Sequence, residues 1–188
     1  DTVWVRFPVK SGRKEFESAS VVIWTTTPWT LPGNRAIGYG ADLNYVGVET
    51  GTHGRVFVCE DLKGAFLKDT ACEEIKTFWS GKGADLAGLI CHHPLHGKGY
   101  DFDVPLLAGD FVTTDTGTGF VHIAPGHGED DYRLGIKNNI EVPHTVAGDG
   151  KYFPDVPVFA GAAVYYPDGK KGPANKLVIA AIEEAGCL

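Results

Sequence analysis

No run of the sequence approaches the roughly 18 consecutive apolar residues of a membrane-spanning helix, and no basic-then-apolar leader opens it. These absences point to a soluble, unexported, cytoplasmic protein. Cys-x-x-Cys pairs are missing as well. The four cysteines, Cys59, Cys72, Cys91 and Cys187, are scattered through 188 residues, a length that builds a core without covalent staples, so free thiols are expected. Positive charge is scarce: Lys+Arg 17 against Asp+Glu 24 leaves a formal net charge of −7. A free-standing nucleic-acid binder draws most of its affinity from neutralising phosphates and carries the opposite balance. DNA is excluded as a partner on this ground, and an RNA partner would have to be held mainly by something else. There is no internal repeat or low-complexity segment, and an ordinary share of hydrophobic and charged residues excludes the disordered and fibrous classes.

What is abundant is glycine and proline, 25 and 11 residues, which favour many short elements joined by turns. The expected fold is therefore a β-rich α+β domain. DTVWVRFPV alternates as a half-buried strand, and Val21 to Trp24 form a short apolar one. A threonine-rich loop follows, in which Pro28 and Pro32 are expected to prevent a helix. NYVGVET and RVFVCE read as a hairpin across GTHG, and Asp61 to Lys68 as a short helix capped by Asp61 and weakened by Gly64. Residues 73–89 and 99–113 suggest further strands with loops between them. The strand FVHIA lies between a TGTG turn and a Pro-Gly-His-Gly loop, and leads into a helix whose first turn carries Glu129, Asp130 and Asp131. Short strands and turns are expected over 140–169, then a terminal helix within 172–186. The whole reads as one domain over 1–188, and its abrupt ends suggest excision from a longer host.

Residues 24–34, WTTTPWTLPGN, are too polar for core and too aromatic for an ordinary loop. The hydroxyls of Thr25, Thr26, Thr27 and Thr30 donate and accept without charge, which suits an uncharged ester, a ribose or a water. The competing explanation is β-propensity and turn satisfaction. Glu129, Asp130 and Asp131 complement a helix dipole wherever they occur. Yet Asp131 follows a strand with His122 and a loop with His127, so the three could converge at one sheet edge in a small-molecule pocket. His122, His127, Asp130 and Asp131 also offer donors for a hydrolytic metal, though their spacing fits no zinc pattern. Cys91, His92, His93 and His96 in CHHPLHGKGY read as a structural loop, and TGTG lacks the residues that complete a phosphate-binding loop. Without Gly-x-Ser-x-Gly or an evident base beside a nucleophile, covalent catalysis is not expected.

Together, WTTTPWTLPGNRAI at 24–37 and GTGFVHIAPGHGEDDY at 117–132 resemble the editing (connective polypeptide) domain inserted into isoleucyl-tRNA synthetases, in the class I aminoacyl-tRNA synthetase family. The general layout extends the resemblance over essentially the whole chain. Leucyl and valyl enzymes have related insertions but place an arginine after their paired threonines. Here Thr27-Pro28-Trp29-Thr30 and the Pro-Gly-His-Gly loop favour the isoleucyl kind. Gly33, often alanine, and Phe120, often smaller, depart from the common pattern. The His-Ile-Gly-His and Lys-Met-Ser-Lys-Ser signatures of the synthetic site are absent, so amino-acid activation is not expected of these residues.

The resemblance implies a compact, β-barrel-like domain with peripheral helices that removes valine from mischarged isoleucine tRNA without cofactor or metal. Isoleucyl enzymes are themselves the type case for this need, because one methylene yields only about 1–3 kcal/mol of discrimination in a binding pocket. It further implies that Asp131 pairs with the substrate's α-ammonium, and that His122 walls the side-chain pocket against isoleucine. Thr25, Thr26 and Thr27, with Thr30 and His127, would hold the amino acid, the terminal adenosine and the attacking water, while Trp24, Trp29 and Asn34 shape the rim. The implied partners are the 3′ end of mischarged tRNA and the rest of the host synthetase. Three alternatives stay open: a valyl-type domain that clears threonine, a non-catalytic aminoacyl-adenosine binder, and a metal-dependent hydrolase.

Overall fold

The computed structural model describes all of residues 1–188. Strand β1 (Val3–Ser11) buries Val3, Val5 and Phe7 and turns the intervening Trp4 and Arg6 outward, as the alternation predicts. It pairs antiparallel with β2 (Ala19–Thr25), Val3 opposite Thr25 and Phe7 opposite Val21. After β3 (Ala36–Tyr39) comes the expected hairpin of β4 (Asn44–Thr50) and β5 (Gly54–Cys59), then β6 (Glu74–Lys82), β7 (Ile90–His92), β8 (Asp103–Ala108) and β9 (Phe120–Ile123). Helices are few: α1 (Lys63–Asp69), α2 (Glu129–Lys137) and α3 (Ala174–Glu184). None is long and apolar enough to cross a membrane.

The strands form one nine-stranded mixed sheet in the order β6-β4-β5-β2-β1-β7-β8-β3-β9, with β2–β5 and β3–β8 the parallel pairs. The compact β-rich α+β architecture is thus the expected one, and its barrel-like character stops short of closure: the sheet keeps β6 and β9 as edges. It curls far enough to bring the approach to β9 against β2 and β5. There Thr118 Oγ1 donates to Val22 O at 2.6 Å, and Cys59 N donates to Thr118 O at 2.7 Å. Gly119 permits this closeness. Its φ is +80°, and a Cβ would lie 2.3 Å from that of Cys59. Inside the curl, Phe7, Phe16, Ile23, Leu31, Tyr45, Phe57, Leu95, Tyr100 and Tyr152 make a continuous core. Full burial of side chains of this kind stabilises by about 1.5–3 kcal/mol each. The four cysteines are buried and free.

Four local expectations need correction. Pro28 and Pro32 do not prevent a helix: Pro28–Gly33 is a 3₁₀ helix. Pro28 takes the first position, where an N–H would lack a helical partner anyway, and the N–H that Pro32 lacks is replaced at the Trp29 carbonyl by the Tyr152 hydroxyl at 2.6 Å. Asp61 does not cap α1; it lies within a 3₁₀ turn, Glu60–Leu62, that precedes the helix. Over 140–169 the strands reduce to isolated bridges, Val146 to Tyr152, Lys151 to Ala163 and Tyr165 to Lys171. Pro143, Pro154, Pro157 and Pro167 keep these bridges from extending into ladders. Finally, Cys91 and His92 belong to β7 rather than to a loop.

Candidate functional site

The threonine turn, β9 and the start of α2 meet around a cleft of about 240 Å³ lined by Trp24, Thr25, Thr26, Thr27, Thr30, Val121, His122, Ala124, His127 and Asp131. The size lies below the roughly 300–1,000 Å³ of drug-sized ligand sites and suits a small molecule or one end of a larger one. Sheet topology makes the meeting possible. β2 ends at Thr25, and β9 pairs with β3 so that His122 lies opposite Ile37, a few residues beyond the turn.

His122 is held on both sides. Asn34 Nδ2 lies 2.7 Å from His122 Nδ1, and His122 Nε2 lies 2.8 Å from Thr30 Oγ1. Asn34 Nδ2 also donates to Ala36 O at 3.0 Å, so it is the donor toward the imidazole, and Nδ1 accepts. The proton then resides on Nε2 and is donated to Thr30 Oγ1, which passes its own to Thr27 O at 2.9 Å. Each hydrogen bond in this chain thus has one fixed direction. Burial, reinforced by His93 and His127, pushes the His122 pKa down to about 3, so the ring is neutral at physiological pH.

The threonines divide accordingly. The Thr30 hydroxyl is engaged in both directions. Thr25 Oγ1 accepts from Thr27 N at 3.1 Å and lies 3.3 Å from Thr27 Oγ1, forming a hydroxyl pair, while Thr26 is exposed at the mouth. Of the three acids, only Asp131 faces the cleft. Its chain doubles back over Gly128 so that Oδ2 accepts from Ala124 N at 2.8 Å, leaving Oδ1 unclaimed. Burial raises the Asp131 pKa and the charge of Asp130 adds to this, opposed by the Ala124 N–H. Glu129 instead pairs with Arg133 along the outside of α2, and Asp130 is exposed.

His127 Nε2 lies 2.8 Å from Thr145 Oγ1, and its ring meets Trp29 edge-on at 5.0 Å. Gly33 gives that ring its room: a Cβ there would come within 3.1 Å of His127 Cδ2. Burial lowers the His127 pKa. Two of the expected rim residues do not line the cleft. Asn34 is fully buried behind His122, and Trp29 packs behind His127. Sequence reasoning missed Val121, next to His122 on β9, and Ala124, just past the end of that strand. His93, read from the sequence as part of a structural loop, donates from Nε2 to Leu31 O at 3.0 Å while Nδ1 accepts from Leu95 N, bracing the threonine turn from inside. Nothing local in CHHPLHGKGY reveals that contact.

Comparison with known proteins shows the family and the fold. Residues 60–169 match the family described as leucyl-tRNA synthetase, editing domain. An isoleucine–tRNA ligase of Pelagibacter ubique is 42% identical over 190 residues, covering 98% of this chain and 20% of that protein. The ligase of Gluconobacter oxydans is 44% identical over 176 residues, covering 87% and 18%. The chain thus spans about a fifth of the length of these curated relatives. Among solved structures, the crystal structure of GlLeuRS-CP1 superposes with a TM-score of 0.68 at 12% identity, covering 100% of this chain and 98% of that one. The P. falciparum cytosolic leucyl-tRNA synthetase editing domain gives a TM-score of 0.52 at 13% identity over 71% of this chain and 56% of that one. At such identities the likeness speaks for the fold alone. The chain belongs to the family of leucyl-tRNA synthetase editing domains, and its curated relatives are isoleucine–tRNA ligases.

Proposed function

We propose that this domain hydrolyses the ester between valine and the terminal ribose of isoleucine tRNA, and rejects the isoleucine ester. The observation that carries the reading is the convergence of one carboxylate, Asp131, with the Thr25–Thr27 hydroxyl pair and a neutral, immobilised His122 in one small cleft. Asp131 Oδ1 is free to accept the α-ammonium of an aminoacyl ester in a charge-assisted bond. The imidazole of His122, fixed on two sides, gives the side-chain pocket a wall that does not yield to an added methylene. Water adds to the ester carbonyl and the ribose oxygen leaves with a proton, giving free valine and tRNA with its terminal hydroxyl restored.

No group in the cleft is set up as a strong base. Both nitrogens of His122 are engaged, which also denies them to a metal ion, and Asp131 is committed to the ammonium. Catalysis then rests on positioning: Thr25 and Thr27 orient a water against an ester already activated by its neighbouring ammonium. Thr26, at the mouth, is placed for the ribose. The net charge of −7 fits a domain that receives only the single-stranded 3′ end while the rest of a cytoplasmic synthetase holds the tRNA body. The test is Asp131→Asn assayed for valine release from valine-charged isoleucine tRNA. Loss of one partner of a desolvated charge pair costs about 2–5 kcal/mol, or roughly 30- to several-thousand-fold in kcat/KM. Wild-type rates in that variant, or loss of wild-type activity on adding a chelator, would refute the assignment.

A further inference from the structure

The threonine turn owes its position to two side chains far along the chain. Within the 3₁₀ helix Pro28–Gly33, the N–H of Trp29 has no helical acceptor because it lies in the first turn. The Trp29 carbonyl has no helical donor either, because the residue three positions on is Pro32, which lacks an N–H. Both gaps are filled from the C-terminal third of the chain. Asn175 Oδ1, in the first turn of α3, accepts from Trp29 N at 2.9 Å, and the hydroxyl of Tyr152 donates to Trp29 O at 2.6 Å. Tyr152 is 2% exposed and anchored in the core, so its hydroxyl is a fixed point. The residue after Trp29 is Thr30, which accepts from His122, and Thr30 in turn bonds to Thr27 O, next to the Thr25–Thr27 pair.

We infer that Tyr152 and Asn175 are positioning residues for the cleft. By holding the N–H and the carbonyl of Trp29, in the two successive peptide groups that flank its Cα, they set the height of the turn above His122 and hence the spacing between the hydroxyl pair and Asp131. Neither touches the cleft itself. This inference rests on the editing reading for its catalytic consequence, but the positioning is independent of it.

The variants are Tyr152→Phe, which keeps the packed ring and removes only the hydroxyl, and Asn175→Ala beside Asn175→Asp, which keeps the acceptor. Lys171 and Lys176 sit beside Asn175, but Asn175 Nδ2 also donates to Asp1 Oδ2 at 3.4 Å, so Asn175→Asp is made together with Asp1→Asn, beside Asp1→Asn alone, to keep two carboxylates from meeting. Two readouts are taken. Without substrate, NMR follows hydrogen exchange of the Trp29 amide and the ring nitrogens of His122. With valine-charged isoleucine tRNA, kcat and KM are measured separately. The Trp29 amide should exchange faster in Asn175→Ala and regain protection in Asn175→Asp, and the His122 ring signals should shift in Tyr152→Phe. Displacing reacting groups by a fraction of an ångström to about 1 Å costs on the order of 10- to 100-fold, so kcat should fall by about that much in Tyr152→Phe and Asn175→Ala. KM should stay near the wild-type value because Asp131 is untouched, and Asn175→Asp should recover kcat. Unchanged exchange and ring signals would overturn the inference, as would equal losses in Asn175→Ala and Asn175→Asp. If the wild type releases no valine while the NMR signals respond as stated, the editing reading fails and the positioning role stands.

Discussion

Replacing Thr30 by valine removes one hydroxyl at nearly constant volume and isolates the hydrogen-bond chain through His122. Thr27 O still accepts from Thr30 N at 3.0 Å, so the carbonyl keeps a partner. The group left without one is His122 Nε2–H, which had Thr30 Oγ1 at 2.8 Å. The imidazole cannot escape by moving its proton to Nδ1, because Asn34 Nδ2 stands there as a donor at 2.7 Å and is itself fixed by Ala36 O. An orphaned donor of this kind costs about 1–3 kcal/mol, with water entering from the cleft setting the low end. In a domain of this length each kcal/mol lowers Tm by about 2–4 °C, so Thr30→Val should melt roughly 2–12 °C below wild type. Thr30→Ser, which keeps the oxygen, should melt close to it. Loosening the ring also loosens the pocket wall, so the preference for valine over isoleucine esters should narrow in the valine variant alone. The assay is a thermal melt of the three proteins beside paired release rates. If Thr30→Val melts with the wild type and discriminates as well, His122 does not depend on the threonine and the tautomer argument is wrong.

Two further outcomes concern pH. His93 and His122 are held neutral by burial, each with its pKa down to about 3, so unfolding takes up a proton at each once the pH falls below about 6.5. Folded pKa values below the unfolded ones mean stability is lost as pH falls, at up to about 1.4 kcal/mol per pH unit for each histidine between those limits. Asp131, raised, works the other way only in the window above its ordinary value of 3.8. Urea melts at pH 7 and pH 5 should show the loss, and His93→Gln should flatten it. Activity should follow a different group. Pairing with the ammonium needs an ionised Asp131, so kcat/KM should fall on the acid side with a midpoint above that of an ordinary aspartate, and no histidine limb should intervene. A second limb below pH 6.5 would identify His127, whose pKa burial lowers, or another imidazole as a participant.

Most of the residues that line the cleft were legible in the sequence, and their supports were not. Four threonines within six positions, an acid in a helix's first turn and a histidine on the strand before it can be read from local spacing, and the fold does gather them in one cleft. Local patterns also gave the β4–β5 hairpin, β9 and α3. What they could not give was which side chains fill the gaps left by the turn's prolines. Tyr152 and Asn175 lie 123 and 146 residues from Trp29, and His93 lies 62 from Leu31, separations across which no periodicity carries information. Asn34 shows a related limit. A polar residue at the end of an aromatic, threonine-rich loop reads as rim, yet it is fully buried, because its amide satisfies Ala36 and His122 together. The strands expected over 140–169 failed for the opposite reason. Apolar alternation there is real, but four prolines limit the pairing to single bridges.

The most direct test of the account is release of valine from valine-charged isoleucine tRNA by this domain, with isoleucine-charged isoleucine tRNA measured in parallel. The account predicts release from the valine ester, with the isoleucine ester favoured less by at least the roughly tenfold that one methylene supplies against a fixed wall. Equal release of both amino acids would contradict it, since a cleft walled by an immobilised His122 would then not be sorting by size.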